Sequence, residues 1–552
     1  MRSGPRRAGA LLAVLLLGFV ALGMRLGYVQ AVRSDDYVAA ARRQRVRRIE
    51  LPAMRGAIYD RRGGELAISV PARTVYANPK QVTDRLSEAT TLAPLLGRPV
   101  ESVAADLSRQ TSFVYLARRI GVGVGTKIAR LRLPGIGVLD EARRVYPGGT
   151  LAANVLGFIG TDQQGLSGLE YTYEQLLGGK AGYRVLEQDP LGRRIPQGIY
   201  TEVPPVAGSD VMLTIDPDIQ LAAERALADA VKRTGAAGGM VVAIDPRSGE
   251  ILAMADSPTF DPNQLGSFDA SVTRNRAVED AFEPGSINKV VVASAVLNEH
   301  LMKPTDTVWV PSILKIGDQQ FVEKEGARSL DLRGILSQSS NLGAIRLATR
   351  VGPPRLNEYF RRFGYGRTTG LGLSGESAGS LPSLARWATS LPTMAIGQGL
   401  SVTSLQVAEV YATVANDGIA LEPQLVSGWV DPMGAFHRPA AAVAQRIISI
   451  STARTLRDLL SSVVTEGTGK LAAIPGYSVA GKTGTAERAV PGGYSGYMSS
   501  FVGMLPAAAP QIVIAVTLDN PTPSEGGLAA APVFNQVATQ VIRIRHIPPT
   551  PL

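Results

Sequence analysis

Cysteine is absent from the 552-residue chain, which excludes disulfides, Cys-ligated zinc, iron–sulfur clusters and a thiol nucleophile. Histidine is scarce. Its three copies, His300, His437 and His546, lie far apart, so a multi-histidine metal site is excluded and a Ser-His-Asp relay is disfavoured. No metal and no other cofactor is expected. Aromatic residues make up only 6% of the chain, and none interleaves with the basic run Arg42, Arg43, Arg45, Arg47 and Arg48, as single-stranded nucleic acid would require. The net charge of +10 fits an anionic lipid surface or an acidic polymer. Nucleic acid is not an expected partner, and the basic run reads as a solvated face near a membrane. With 45% hydrophobic and 19% charged residues, the chain is not mainly disordered, and its length allows about three domains.

Long apolar runs are also rare, and the exception is informative. Ala8 to Met24 carries no charge, follows Arg2, Arg6 and Arg7, and precedes Arg25. Extended to Val29 with Arg25 snorkelling, it spans a hydrocarbon core of about 30 Å. The basic flank places the amino terminus inside and the bulk of the chain outside. This reads as residues 1–7 forming a cytoplasmic tail and 8–29 a membrane anchor, with lipid as a partner. The competing reading is a cleaved signal peptide ending near the small-x-small triplet Ala21-Leu22-Gly23.

From Ser34 to about Gly208 short β-like runs alternate with Gly and Pro punctuation, which predicts a loop-rich, extended module over 30–208. The Pro- and Gly-containing Val203-Pro204-Pro205-Val206-Ala207-Gly208 is a linker candidate. Beyond it a strand is expected at Val211–Ile215, then an amphipathic helix opened by Asp216-Pro217, with Ile219, Leu221, Ala222, Ala226, Leu227 and Val231 near helical spacing. Two strands follow, Gly239–Asp245 and Glu250–Met254, joined by Pro246-Arg247-Ser248-Gly249. The succession predicts an α+β domain over 209–546, and the proline-rich end Ile547–Pro551 is expected to fray.

Three short motifs in the second half bear chemistry. Ser286-Ile287-Asn288-Lys289 puts a serine at a helix start with a lysine three residues on, sharing one face. A serine hydroxyl becomes a useful nucleophile once a base takes its proton, and a lysine desolvated against the apolar helix Val290–Ala295 can serve. Ser339-Ser340-Asn341 adds a second hydroxyl and an amide ahead of a helical run. Each pattern alone is cheap, and capping serines account for either. Lys482-Thr483-Gly484-Thr485 is sharper, because the chain holds only ten lysines. A strand edge with lysine, hydroxyls and glycine can hold a carboxylate while its backbone pairs with an extended peptide.

In this order S-x-x-K, S-x-N and K-T-G are the set of penicillin-binding proteins and serine β-lactamases. The chain resembles that family, and most closely the class B penicillin-binding proteins, bitopic peptidoglycan transpeptidases. Upstream, Arg55-Gly56-Ala57-Ile58-Tyr59-Asp60-Arg61, Arg144-Val145-Tyr146-Pro147-Gly148 and Gly165-Leu166-Ser167-Gly168-Leu169-Glu170 match the family's pedestal module. Phe363-Gly364-Tyr365-Gly366, Gly375-Glu376 and Ala395–Gln406 look like the division-specific branch.

The resemblance implies a β-lactamase-like α+β catalytic domain on an extended β-rich pedestal with one transmembrane helix. It implies that Ser286 is acylated by a donor stem peptide, with loss of D-alanine, and that Lys289 is the base. Ser339 would relay a proton, Asn341 hold the peptide amide, Lys482 tune the potential, and Thr483, Gly484 and Thr485 line the donor carboxylate site. The backbone N–H groups of Ser286 and Thr485 would form the oxyanion hole. Implied partners are peptidoglycan stem peptides, β-lactam antibiotics, a SEDS-type membrane glycosyltransferase and divisome proteins. Two departures stand out. Ile287-Asn288 replaces the Thr and bulky apolar residue common in the nucleophile motif, which bears on pocket shape. No histidine precedes His300, so the histidine-containing motif of the bifunctional class A members is absent and no glycan polymerisation is expected. A D,D-carboxypeptidase or β-lactamase, and a catalytically silent β-lactam sensor or septal scaffold, are the alternative readings.

Overall fold

The computed structural model describes residues 4–189, 194–316, 319–323 and 325–550. They fall into two compact units: Met1–Met54 with Gly179–Ala207, and Arg55–Gly178 with Gly208–Leu552. The stretch 30–208 expected as one module is thus shared between them.

In the first unit, helix Gly4–Gly27 runs into a π-helical turn, Tyr28–Val32. Arg6–Val32 is long and apolar enough to cross a membrane, and none of it is buried against protein. Helix Ser34–Arg45 follows, then a three-stranded antiparallel sheet in which Gly182–Glu187 lies between Val46–Leu51 and Tyr200–Val203. Arg43, Arg45, Arg47 and Arg48 are exposed, as a solvated basic face requires, and the Arg48 guanidinium stacks over the Tyr183 ring.

The second unit begins with strand Ile58–Tyr59, which pairs in parallel with Asp210–Leu213 and antiparallel with Glu65–Ala77. Asp210–Leu213 in turn pairs with Val426–Val430, so a single sheet ties residues 55–178 to the carboxy-terminal half. The region is more regular than its Gly and Pro punctuation suggests. Helix Arg85–Leu96 is capped by Asp84, which accepts from Ser87 N–H, and it ends at Gly97 in the left-handed conformation. With Val100–Leu107 and Val122–Leu131 it encloses a small core of Val75, Leu92, Leu107, Leu116 and Ile128.

The three upstream motifs meet at one buried carboxylate. Glu170 accepts from Arg55 Nε at 2.5 Å and from Arg144 Nε at 2.7 Å, and Tyr146 OH adds a 3.2 Å bond. Arg144 also donates to the Gly56 carbonyl at 2.7 Å. All of these side chains are buried; Arg144 depends on Glu170 for its counter-charge, and Arg55 shares Glu170 with a second carboxylate, Glu174, at 2.7 Å.

The carboxy-terminal half is built on a five-stranded antiparallel sheet in the order Ile251–Ser257, Gly238–Ile244, Ile512–Asp519, Gly493–Leu505, Ala480–Val490. Both faces are covered, which explains why these strands read as continuous apolar runs. One face packs on helices Pro217–Thr234 and Ala531–Ile544 through Leu227, Val241, Ile514, Phe534 and Val537. The other packs on helix Ser404–Ala415 and an all-helical layer through Val242, Ala515, Tyr411 and Leu405. Asp216 caps the first helix by accepting from Asp218 and Ile219 N–H, with Pro217 at its first turn. The Ile547–Pro551 end corrects the expectation of fraying as far as Thr550. The Ile547 side chain is buried, its carbonyl accepts from Tyr477 OH at 3.0 Å, and Thr550 exchanges bonds with Gly476 and Ser478.

Candidate active site

Ser286 lies in a single 3₁₀ turn, Gly285–Asn288, that leads into helix Lys289–Asn298. This helix is apolar all round and buried from Lys289 to Leu297, which carries the lysine amine into the interior. The turn has no room beneath it. Gly285 adopts φ +56°, and a Cβ at Gly397 would meet the Gly285 carbonyl at 2.1 Å. A Cβ at Gly484 would lie 3.0 Å from both Ile287 Cγ2 and the Pro284 carbonyl. Glycine is needed at 484 because the Ser286 turn rests directly on that strand.

The three motifs converge. Ser286, Ser339, Asn341, Thr483 and Thr485 line one cavity of about 510 Å³ together with Glu323, Glu325, Gln338, Thr468 and Gly526–Leu528. Lys289 and Lys482 sit behind its wall, fully buried. Lys289 Nζ donates to the Ser339 carbonyl at 2.6 Å, to Asn341 Oδ1 at 2.7 Å and to Ser339 Oγ at 3.3 Å. Ser339 presents that carbonyl from the left-handed region, φ +59°. For a non-glycine residue this costs on the order of 1 kcal/mol and is sustained by the surrounding contacts. Lys482 Nζ lies 3.2 Å from the Thr483 carbonyl.

Burial dominates the electrostatics. It holds the Lys289 amine well below the usual lysine range, and the neighbouring Lys482 pushes the same way while Glu323 opposes. Burial alone brings Lys482 down to about 7. Two amines that resist protonation so close together favour proton acceptance over ion pairing.

Strand Ala480–Val490 is the free edge of the sheet, open to an added extended segment. A Cβ at Gly285 would come 2.9 Å from the Thr485 carbonyl. That carbonyl, and the N–H of the same residue, therefore face the Ser286 turn instead of the neighbouring strand. Thr483 Oγ1 bonds Thr468 Oγ1 at 2.7 Å, and Thr485 Oγ1 accepts from Gly526 N–H at 3.1 Å.

Ile287 and Asn288 turn away from the cavity. Ile287 is buried against Gly484, and its carbonyl accepts from Tyr411 OH at 2.9 Å. Asn288 Nδ2 donates to the Met394 carbonyl at 2.9 Å. The unusual pair shapes the support of the Ser286 turn and not the cavity wall. Sequence reasoning missed Glu323, Thr468 and Gly526-Gly527. The adjacent glycines were a signal in the sequence, and the structure gives their reason: a Cβ at Gly527 would meet the Thr468 carbonyl at 2.2 Å. Glu323, one of two acids just after a short hairpin, carried none.

The Penicillin binding protein transpeptidase domain matches residues 239–539, and the Penicillin-binding Protein dimerisation domain matches residues 50–213. Penicillin-binding protein PbpB of Mycobacterium tuberculosis is 35% identical over 98% of this chain and 85% of its own length. Peptidoglycan D,D-transpeptidase FtsI of Escherichia coli is 33% identical over 99% and 93%. Among solved structures, penicillin binding protein 3 of M. tuberculosis complexed with aztreonam superposes with a TM-score of 0.73 at 33% identity, covering 91% of this chain and 98% of that one. A peptidoglycan synthetase from Bifidobacterium adolescentis gives 0.75 at 31% identity, over 92% and 98%.

The fold and site thus define a serine-type acyltransferase of the penicillin-binding class. The chain belongs to the class B penicillin-binding proteins, peptidoglycan D,D-transpeptidases, on their septal FtsI-like side. Its apolar amino-terminal helix makes it a membrane-anchored member.

Proposed function

We propose that this protein cross-links septal peptidoglycan through an acyl-enzyme on Ser286. The observation that carries the reading is the convergence of a cavity-lining serine with a buried amine that bonds the Ser339–Asn341 turn. Lys289 Nζ takes the Ser286 proton as Oγ attacks the penultimate D-alanine carbonyl of the donor stem peptide. The carbonyl oxygen becomes negative between the N–H groups of Ser286 and Thr485, where each such donor contributes about 3–4 kcal/mol in a comparable serine enzyme. Collapse breaks the C–N bond, and the departing amine of D-alanine takes a proton through Ser339. The acceptor stem amine then attacks the ester carbonyl, and its released proton returns to Ser286 Oγ. Asn341 orients the donor amide, Thr483, Gly484 and Thr485 receive the donor carboxylate, and Lys482 behind them tunes the potential. A β-lactam mimics the donor, and its opened ring stays on Ser286.

On this reading residues 1–7 are a cytoplasmic tail, 8–29 the anchor, 30–208 the pedestal and 209–546 the transpeptidase domain, with catalysis on the outer side. On this reading a separate SEDS-type membrane polymerase supplies glycan, within a complex of divisome proteins.

Intact mass of the purified protein after incubation with a β-lactam tests the chemistry. The expected result is a persistent single adduct on wild type and none on Ser286→Ala. Unmodified, folded wild type would overturn the assignment. Rapid loss of the adduct, with D-alanine released from stem peptides and no cross-links formed, would make the protein a hydrolase.

A further inference from the structure

Glu323 belongs to none of the three motifs, yet it is the buried anion of the site. It lines the cavity, and its side chain is 6% exposed. Its Oε2 accepts from Ser340 Oγ at 2.7 Å and from Leu342 N–H at 3.3 Å. Ser340 Oγ in turn accepts from Gly343 N–H at 3.0 Å and caps helix Asn341–Val351. The carboxylate therefore satisfies two donors at the helix start, where negative charge is also favoured by the helix dipole. The first residue of that helix is Asn341, whose Oδ1 takes the 2.7 Å bond from Lys289. A short chain of bonds runs from Glu323 through Ser340 to the residue that holds the base.

Charge follows the same route. The charged groups that act most on the Lys289 amine are Lys482, from the edge strand, and Glu323, while Glu325 and Glu525 line the same cavity from exposed positions. Arg328, on strand Arg328–Leu330, approaches Glu323 Oε1 at 3.5 Å from its outer side. Glu323 is thus the anion set against the buried Lys289 amine, where a unit charge acts strongly.

Resting on the transpeptidase reading above, we infer that Glu323 is a positioning residue for acylation, which anchors the Ser340–Asn341 helix start against Lys289 and sets the charge that the base experiences. It touches the reacting atoms through neither role.

The two roles separate experimentally. Glu323→Gln keeps an oxygen that can accept from Ser340 and Leu342 but removes the charge. Glu323→Ala removes both, and Glu323→Asp keeps the charge on a shorter stem. The measurement is the second-order rate of β-lactam acylation across pH 5.5–9, on full-length protein in detergent, with melting temperature recorded alongside. A neutral amine is the active base, so the rate rises with pH through the Lys289 titration. Loss of the nearby anion makes protonation harder, and the acid limb of the Glu323→Gln profile should move to lower pH by roughly half a unit or more, with a melting temperature close to wild type. Glu323→Asp should keep the wild-type position of the limb. Glu323→Ala should lose about tenfold or more in rate, as expected when a catalytic group is misplaced.

A Glu323→Gln profile superimposed on wild type would overturn the inference and leave Glu323 as a helix cap alone. That outcome is distinct from failure of the transpeptidase reading, in which wild type itself forms no adduct at Ser286. If Glu323→Ala fails to fold, the isosteric Glu323→Gln still decides.

Discussion

Lys482→Met is the most quantitative test of the buried-amine site. Lys482 is fully buried, and its pKa falls from 10.5 to about 7 through burial. Its folded-state value lies below the unfolded one, so between about pH 7 and 10.5 the unfolded chain holds a proton that the folded chain has released. Stability therefore rises with pH through that window, by about 1.4 kcal/mol per pH unit for one full proton. Over the whole window the burial costs about 5 kcal/mol at neutral pH, and this cost vanishes in strong base. Methionine has a similar volume and no proton, so the stability advantage of Lys482→Met over wild type should be largest near pH 7 and shrink steadily toward pH 10. For a cooperative unit of this size a kilocalorie moves the midpoint by roughly 1–2 °C, which makes the expected convergence roughly 2 °C per pH unit. Differential scanning fluorimetry of both proteins, each at five pH values, reads this directly. Taking the difference cancels the titrations that Lys482 does not influence, while Lys289, which Lys482 pushes down, adds to the convergence in the same direction. Parallel melting curves across pH 7–10 would show that Lys482 keeps its proton when buried and would refute the electrostatic account of the site. Activity should fall most at and below about pH 7, where the wild-type amine still carries charge toward a donor carboxylate.

Two further outcomes follow from the geometry. Ile287 faces Gly484 and not the cavity, so Ile287→Thr should leave the β-lactam acylation rate within about threefold of wild type while destabilising the fold by about 1–3 kcal/mol through its buried hydroxyl. A tenfold change in that rate at unchanged stability would contradict the placement. Glu170→Ala strands the buried Arg144 and leaves Arg55 with Glu174 at 2.7 Å, and should cost about 3–5 kcal/mol in thermal unfolding with the acylation rate of the folded fraction preserved. A melting temperature equal to wild type would show that water or another carboxylate takes over the pairing.

Much of the site was legible because its chemistry is local. Ser286 and Lys289 share a helix face at a spacing of three, and Lys482 to Thr485 lie along one strand, so periodicity alone places each set. Helix Pro217–Thr234 was likewise readable from its Asp216-Pro217 start. Glu323 was not, because its role depends on Ser340 and Leu342, which lie seventeen and nineteen residues on and meet it only after folding.

The amino-acid sequence by itself determined the apolar amino-terminal helix, the order of the three motifs, and the exclusion of thiol and multi-histidine chemistry. These depend on composition and on spacings of three or four residues, which survive without knowledge of the fold. Tertiary structure decided the rest. It buried Lys289 and Lys482 so that their amines resist protonation, turned Ile287 and Asn288 behind the nucleophile, and gathered Arg55, Arg144 and Glu170 from distant segments onto one carboxylate. Desolvation and charge pairing are set by which atoms exclude water from which others, and that is fixed only when segments far apart in the chain pack together.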